Sequence, residues 1–441
     1  MIPHLAEFEL RLSTQGSLPA TLNLATSTKA IAFLVVGLVI GAAAGAAALY
    51  ALTPQSSNQS TTKVYTIGLA YELSGNLATF GQGMRDAANL AFNQLNAIAG
   101  PGVQFKTVAV DTQSTPQGAL QAVQTLVQTD KVSILLGPIA SASEIATEQY
   151  VNTNHVLEVA CCSSSILLAQ GKNGYIIDTS ATDLFTSEVT QAVLTSENYK
   201  HVAVIYQNDA QGGPLFQYIN QTFTAAGMQV AGVPFDPTQT DFGAQVSALS
   251  ADVANFGTSQ TAVVVITSSA PAQTNIYGHA SSDATLSKVN WFAPGGATVS
   301  PVLLPPQASA SLTNWLMSVN YTAMSASSAS NPMTTYFNQT FTNTYGHQPQ
   351  GTFALAYDSA MIVGLSILAA GTDNSTTILK TIPNIARSYV GGSGPKGMDA
   401  NNVVMVATFA VSKIHQVGST YSFYQIGTWN SQTNKVVFTS S

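Results

Sequence analysis

The feature that most constrains this chain is a plan that it carries out twice. In the first copy the apolar run VYTIGLAY (Val64–Tyr71) leads to a glycine-bearing loop, SGNLATFGQG, a helical period, MRDAANLAFNQLNA, a second apolar run, VQFKTVAV, and Asp111. In the second, HVAVIY (His201–Tyr206) leads to NDAQGG, PLFQYINQTFTAAG, MQVAGVPF and Asp236. Each copy continues with a helical stretch, Gln117–Gln128 or Phe242–Asn255, a continuous apolar run, VSILLG or TAVVVI, and a loop of small residues, PIASAS or TSSAPA. Short β-branched runs that alternate with helical periods predict βαβ units and a mainly parallel sheet. The doubling predicts two doubly wound α/β lobes that face each other, and 441 residues suffice for two cores. In such sheets ligands sit outside the carboxyl ends of the strands, where all of these loops fall.

Ahead of the repeat, Ala30–Leu52 is an uncharged apolar stretch, AIAFLVVGLVIGAAAGAAALYAL, long enough to cross a hydrocarbon core of about 30 Å as a helix. It is expected to be a retained anchor, a cleavable signal being the rival. Arg11 and Lys29 precede it and the next basic residue is Lys63, so residues 1–29 are expected in the cytoplasm and the rest outside. Residues 53–62, rich in Ser, Thr and Gln, have the composition of a polar tether.

Charge narrows the partners. Lys and Arg number 14 against 21 Asp and Glu, for a net charge of −7, and no basic run offers a footprint for nucleic acid. Only 8% of residues are charged, while Ser and Thr make up about a fifth of the chain. A surface wetted by hydroxyls instead of ions escapes the self-repulsion that strong acid imposes, which suggests an acidic exterior; the plainer reading is a Ser/Thr-rich extracellular protein. The two cysteines, Cys161 and Cys162, are adjacent and build no disulfide framework. Five N-x-Ser/Thr sequons permit glycosylation without arguing for it.

Familiar catalytic signatures are missing from the sequence. It has no P-loop, and the nearest dinucleotide fingerprint, Gly81-x-Gly83, meets Asp86 where a third glycine is needed. The histidines stand apart from any second metal ligand at a usable spacing, so neither a metal nor another cofactor is expected. With no G-x-S-x-G elbow and no His/Asn context around Cys162, nucleophilic catalysis lacks support and no enzyme is expected. What remains is binding chemistry. Ser141 or Ser143 is expected to cap the helical period EIATEQYVNT, whose N-terminus favours an anion such as a carboxylate. The Cys162–Ser165 loop after VLEVA offers hydroxyls and amides from the neighbouring strand end.

The pattern Ile67-Gly68, Leu73-Ser74-Gly75, Phe80-Gly81 with AANLAFNQLNA behind it resembles the opening of type I periplasmic solute-binding proteins of the branched-chain amino-acid transport kind. Gly137-Pro138, Ser141, the CCSSS loop, Thr182-Asp183, VAVIYQNDAQGG, Asp241-Phe242 and Ala356-Tyr357-Asp358 follow in that family's order. The resemblance implies two lobes joined by a three-segment hinge, 63–182 with about 320–392 and 183–319 with about 393–441. It implies a clamp that closes on a small solute and delivers it to an ABC permease and its ATPase subunits. By position, Ser141, Cys162 through its backbone, and Ser164 match carboxylate-holding residues, Asp183 an acidic residue near the solute's amino group, and Phe80 an aromatic wall. The second lobe departs from the pattern: Gln211 and Ser269 stand where aromatics are common, and Gly295 where a glutamate usually pairs the ammonium. A buried ammonium needs a counter-charge, so Asp183 or Glu72 must supply it or the solute has none. Gln211 and Ser269 suit a solute that bears an amide or hydroxyl. A ligand-sensing ectodomain with the same clamp is the alternative, and a secreted amidase or hydrolase a remote one.

Overall fold

The computed structural model describes residues 62–169, 174–295, 301–326, 331–398 and 404–439. The expected anchor at 30–52 lies outside them, as do residues 1–29 and nearly all of the tether. Strands β1 (Lys63–Tyr71), β2 (Val103–Asp111), β3 (Ile134–Leu136), β4 (Leu157–Ala160) and β5 (Ile176–Asp178) form an all-parallel sheet in the order 2-1-3-4-5. Helices α1 (Ala78–Ile98), α2 (Pro116–Gln128) and α3 (Ser141–Asn154) are its crossovers, and the short α4 (Ile166–Ala169) follows β4. Crossover helices cover both faces of a parallel sheet, so its central strands are apolar along their whole length: Ile134–Leu136 and Leu157–Ala160 are buried throughout.

After α5 (Asp183–Ser196) the plan repeats. Strands β6 (His201–Gln207), β7 (Gln229–Phe235), β8 (Thr261–Ile266), β9 (Asn290–Pro294) and β10 (Thr322–Ala326) pair in parallel in the order 7-6-8-9-10. Helices α6 (Gly212–Ala225), α7 (Gly243–Phe256), α8 (Ala270–Ala280) and α9 (Ala310–Ser318) run between them. The chain then supplies α10 (Pro332–Tyr345), α11 (Phe353–Ala370) and α12 (Ser375–Ser388), whose buried residues join the core of the first sheet. The β11–β12 hairpin (Val390–Gly391, Gly394–Pro395) comes next. The antiparallel strands β13 (Thr408–Val417), β14 (Thr420–Asn430) and β15 (Lys435–Phe438) extend the second sheet beyond β10.

β10 pairs with β9 and β13, so Thr322–Ala326 lies in the second sheet and not in the first lobe, where the sequence expectation of about 320–392 had placed it. The return to the first lobe falls between Ala326 and Pro332. Among the described residues α11 is the helix long and apolar enough to cross a membrane. It is buried on most sides, including Asp358, Ser359 and Ser366, and is the central core helix of the first lobe.

Three passages join the lobes: β5 to α5, β10 to α10, and β12 to β13. The first and third touch, since Ala181 bridges Val404 in parallel, and within the third Met398 bridges Val404 antiparallel. Lys396, 3% exposed, donates from Nζ to the carbonyl of Thr179 at 2.8 Å and so ties the first passage to the third. Asp358 is fully buried beside them and accepts from Tyr389 Oη (3.0 Å), the Gly392 N–H (2.9 Å), the Ser393 N–H (2.8 Å) and the Ser393 hydroxyl.

Candidate functional site

Both sheets have their topological switch point beside the first strand of the repeat, between β1 and β3 in one lobe and between β6 and β8 in the other. Loops that leave those strand ends diverge there and open a crevice. The same close packing builds each: a Cβ on Gly81 would stand 2.0 Å from the Glu72 carbonyl, and one on Gly212 would stand 2.1 Å from the Gln207 carbonyl. Only glycine lets these helices start so near the strand ends.

On the first lobe, Glu72 follows β1 with its carboxylate fully buried. It accepts the Ile139 N–H at 3.1 and 3.2 Å and the Ala140 N–H at 3.1 Å, which fastens the β3 loop to the end of β1. Burial pushes its pKa up to about 7 against the pull of those amides. In this structure the Glu72 carboxylate, expected as a possible partner for a solute's ammonium, is engaged by the loop's amides. Ser141 opens α3, but the cap is Ala140, and it makes no side-chain cap bond. The expectation that Ser141 or Ser143 caps this helix is corrected, since Ser141 already sits inside the first turn. Phe80 packs, partly buried, on the core of the first lobe.

The loop after β4 carries polar contacts between the lobes. Gln211 Nε2 donates to Ser164 Oγ at 3.0 Å, and Ser164 Oγ donates to Asp183 Oδ2 at 3.0 Å. The Asp183 N–H donates to the Ser164 carbonyl at 2.7 Å, and Ser165 Oγ donates to the Ala210 carbonyl at 2.6 Å. Cys162, the third position expected in this loop, is partly buried, and its thiol turns to that of Cys161. Of the residues singled out on sequence, the fold therefore brings Ser164, Asp183 and Gln211 into one hydrogen-bonded chain. Ser141, Glu72 and Phe80 stay on the first lobe without joining it.

Asp183 lies at the start of α5 and is buried; desolvation raises its pKa to about 6, against hydrogen bonds from Ser164, Thr186 and Gln211. It lines a cavity of about 30 Å³ together with Gln211, Gln207, Asp209, Thr267 and Ser268. That is room for about one water, and the residues that line it belong to the second lobe. Ser269 is absent from the wall. Its hydroxyl accepts the Ala272 N–H at 3.3 Å and caps α8, and the neighbouring Ser268 takes the place expected of it. Asp209, passed over on sequence, accepts the N–H groups of Gln211 (3.0 Å) and Gly212 (2.8 Å) at the mouth of α6. Gln207 donates to Asp209 Oδ2 at 2.5 Å and accepts from Thr267 Oγ1 at 2.7 Å. Gln207 and Ile266 end β6 and β8, so the strand-end rule itself was the signal that could have found them.

The crevice thus offers hydroxyls, two amides and two carboxyl groups, and among the described residues no three His, Cys, Asp or Glu side chains converge as a metal-binding group. Two facing doubly wound lobes with polar groups at their strand ends define a clamp of the type I periplasmic-binding-protein fold. The family model for periplasmic binding proteins matches residues 64–419, and the chain belongs to that family. Among solved structures, the leucine-binding protein LivK from Thermotoga maritima is 22% identical with a TM-score of 0.66, over 82% of this chain and 97% of that one. A Rhodopseudomonas palustris solute-binding protein of an ABC transporter, in complex with 4-hydroxybenzoate, is 18% identical with a TM-score of 0.68, over 83% and 97%. Among curated proteins, a Leu/Ile/Val-binding protein of Rhizobium johnstonii is 26% identical over 198 residues, 44% of this chain and 54% of that protein. An uncharacterized protein of Methanocaldococcus jannaschii is 26% identical over 223 residues, 48% of this chain and 53% of that protein. The aligned regions span about half the length of these curated relatives.

Proposed function

We propose that this protein is the extracytoplasmic solute-binding subunit of an ABC importer, not an enzyme, and that it clamps an amino-acid-like solute between its lobes. The observation that carries the reading is the Gln211–Ser164–Asp183 chain, which spans from one lobe's strand-end loop to the other's. Groups so placed exchange partners with a solute when the lobes part, and complete their contacts with it only when they close. The crevice is also polarised. The N-terminus of α3, with Ser141 in its first turn, and the Cys162–Ser164 loop favour a carboxylate. Asp183 and Asp209 on the facing lobe favour a group that donates hydrogen bonds or carries positive charge.

Residues 30–52 would anchor the chain, with the clamp outside the cell facing an acidic exterior, a permease and its ATPase subunits as partners, and no nucleic acid. The test is isothermal titration with amino acids, amides and small carboxylates, repeated on a Ser141→Ala/Ser164→Ala variant. A carboxylate-bearing solute should bind, and the double variant should lose ~1–3 kcal/mol of affinity, the cost of an under-bonded carboxylate. Unchanged affinity in the variant would move the site elsewhere.

A further inference from the structure

The two cysteines are the chemistry that solute binding leaves unused. Both are free, and their sulfurs stand 2.7 Å apart at the end of β4. A disulfide bond measures about 2.05 Å, so the backbone between Cys161 and Cys162 already holds the thiols close to bonding distance. Met84 of α1 lies against both, its Sδ 3.9 Å from Cys161 Sγ and 3.8 Å from Cys162 Sγ, and backs the pair with an apolar wall. Cys161 is fully buried, whereas Cys162 is partly exposed on the loop that carries Ser164. Of the two residues Cys162 is the one that solvent reaches, and Cys161 lies behind it.

We infer that Cys161 and Cys162 are a redox-reactive pair that closes to a vicinal disulfide by exchange with a small-molecule disulfide. Cys162 loses its proton and attacks one sulfur of the reagent, forming a mixed disulfide and expelling the first reagent thiol. Cys161 then loses its proton and attacks Cys162 Sγ; the mixed bond breaks and the second reagent thiol leaves. The two protein thiols give up two electrons and two protons, and one reagent disulfide becomes two thiols. Burial first, and then the neighbouring Cys161, hold the Cys162 thiol well above its ordinary pKa, while the Lys396 ammonium opposes them. A thiol so held exchanges slowly with ordinary disulfides, so a reagent with a good leaving group is the probe of choice. The inference does not rest on the solute-binding reading.

The experiment treats the reduced, folded full-length chain with 4,4′-dithiodipyridine and reads its intact mass. The expected product has lost two hydrogens, retains no pyridyl adduct, releases two pyridinethiones per chain and returns to the starting mass with a phosphine. Cys161→Ser should keep one adduct, on Cys162. Cys162→Ser should stay unlabelled when folded and become labelled in urea. A native wild-type chain that carries one or two adducts, stays unreacted or forms disulfide-linked dimers would overturn the inference. That wild-type measurement decides even if a variant folds poorly.

Discussion

Ser164 and Asp183 hold each other twice: the Ser164 hydroxyl donates to Asp183 Oδ2 at 3.0 Å, and its carbonyl accepts the Asp183 N–H at 2.7 Å. One contact uses the backbone and survives changes of side chain. The other ends on a carboxylate that a solute's ammonium would want.

That division sets the first prediction. Asp183→Asn keeps the backbone bond and a side-chain acceptor but removes the charge. Affinity for an amino acid should fall ~10–100-fold, the worth of a hydrogen bond to a charged group, while its deamino analogue should bind as before. Titration calorimetry with the matched pair reads both. Equal losses for the two ligands would show that Asp183 does not serve the amine.

Buried carboxyl groups set the second. Desolvation raises Glu72 from 4.5 and Asp178 from 3.8, each to about 7, and Asp183 from 3.8 to about 6. Burial pushes Glu144 and Glu158 up as well. Between about pH 4 and pH 7 the folded chain keeps protons that the unfolded chain has released, so stability is full at the acid end and is lost as pH rises. At the acid limit Asp111 acts in the other sense. Burial raises it, but hydrogen bonds from Ser74, Gln113 and Leu73 prevail and hold it below 3.8, so its contribution is lost as pH falls. Tm by circular dichroism should peak between about pH 4 and 5 and drop by several degrees toward pH 8, at ~2–4 °C per kcal/mol. A Tm that is flat or rises from pH 5 to pH 8 contradicts this balance.

The third concerns Gly212. A methyl group there would stand 2.1 Å from the Gln207 carbonyl, against backbone that cannot rotate away. Gly212→Ala should cost ~1–3 kcal/mol in urea unfolding, the usual penalty of overpacking. It should also weaken solute binding, because Gln207 and Asp209 would shift with the start of α6. A neutral variant would mean that the helix can retreat from the strand.

The repeat was legible because period and punctuation agreed. Val64–Tyr71 and His201–Tyr206 were read within a residue of β1 and β6. β10, the counterpart of β5, is less so, because TAMSA is a short run outside the stretches whose repetition the sequence shows, and only its pairing with β9 and β13 assigns it to the second sheet. At the site, it is the family resemblance more than any local pattern that points to Ser164, Asp183 and Gln211. Glu72 and Ser269 are harder to place for one reason: a polar residue at a strand or helix end can serve a ligand or its own backbone, and composition does not distinguish the two. Glu72 took the amides of Ile139 and Ala140, and Ser269 took the cap of α8.

The last prediction tests the hinge through Lys396. Its ammonium is buried between two passages, bonded to the Thr179 carbonyl, and its charge lowers the pKa of both Asp358 and Asp178 against the larger effect of burial. In Lys396→Met the hydrocarbon stem is replaced in kind and the charge is lost. Near pH 5 Asp178 is protonated, so the variant forfeits one hydrogen bond to Thr179 and also sheds the cost of burying an ammonium; the net change should be small. Near pH 8, above the value of about 7 for Asp178, the same substitution leaves that carboxylate buried without a cation, a situation that costs ~3–5 kcal/mol when one partner of a buried pair is removed. Asp178 responds by holding its proton to higher pH, so the variant should show a steeper loss of stability between pH 5 and pH 8 than the wild type. Urea unfolding at the two pH values measures the difference directly. An equal penalty at both would mean that Lys396 acts through its bond to Thr179 alone and that its charge does not stabilise the hinge.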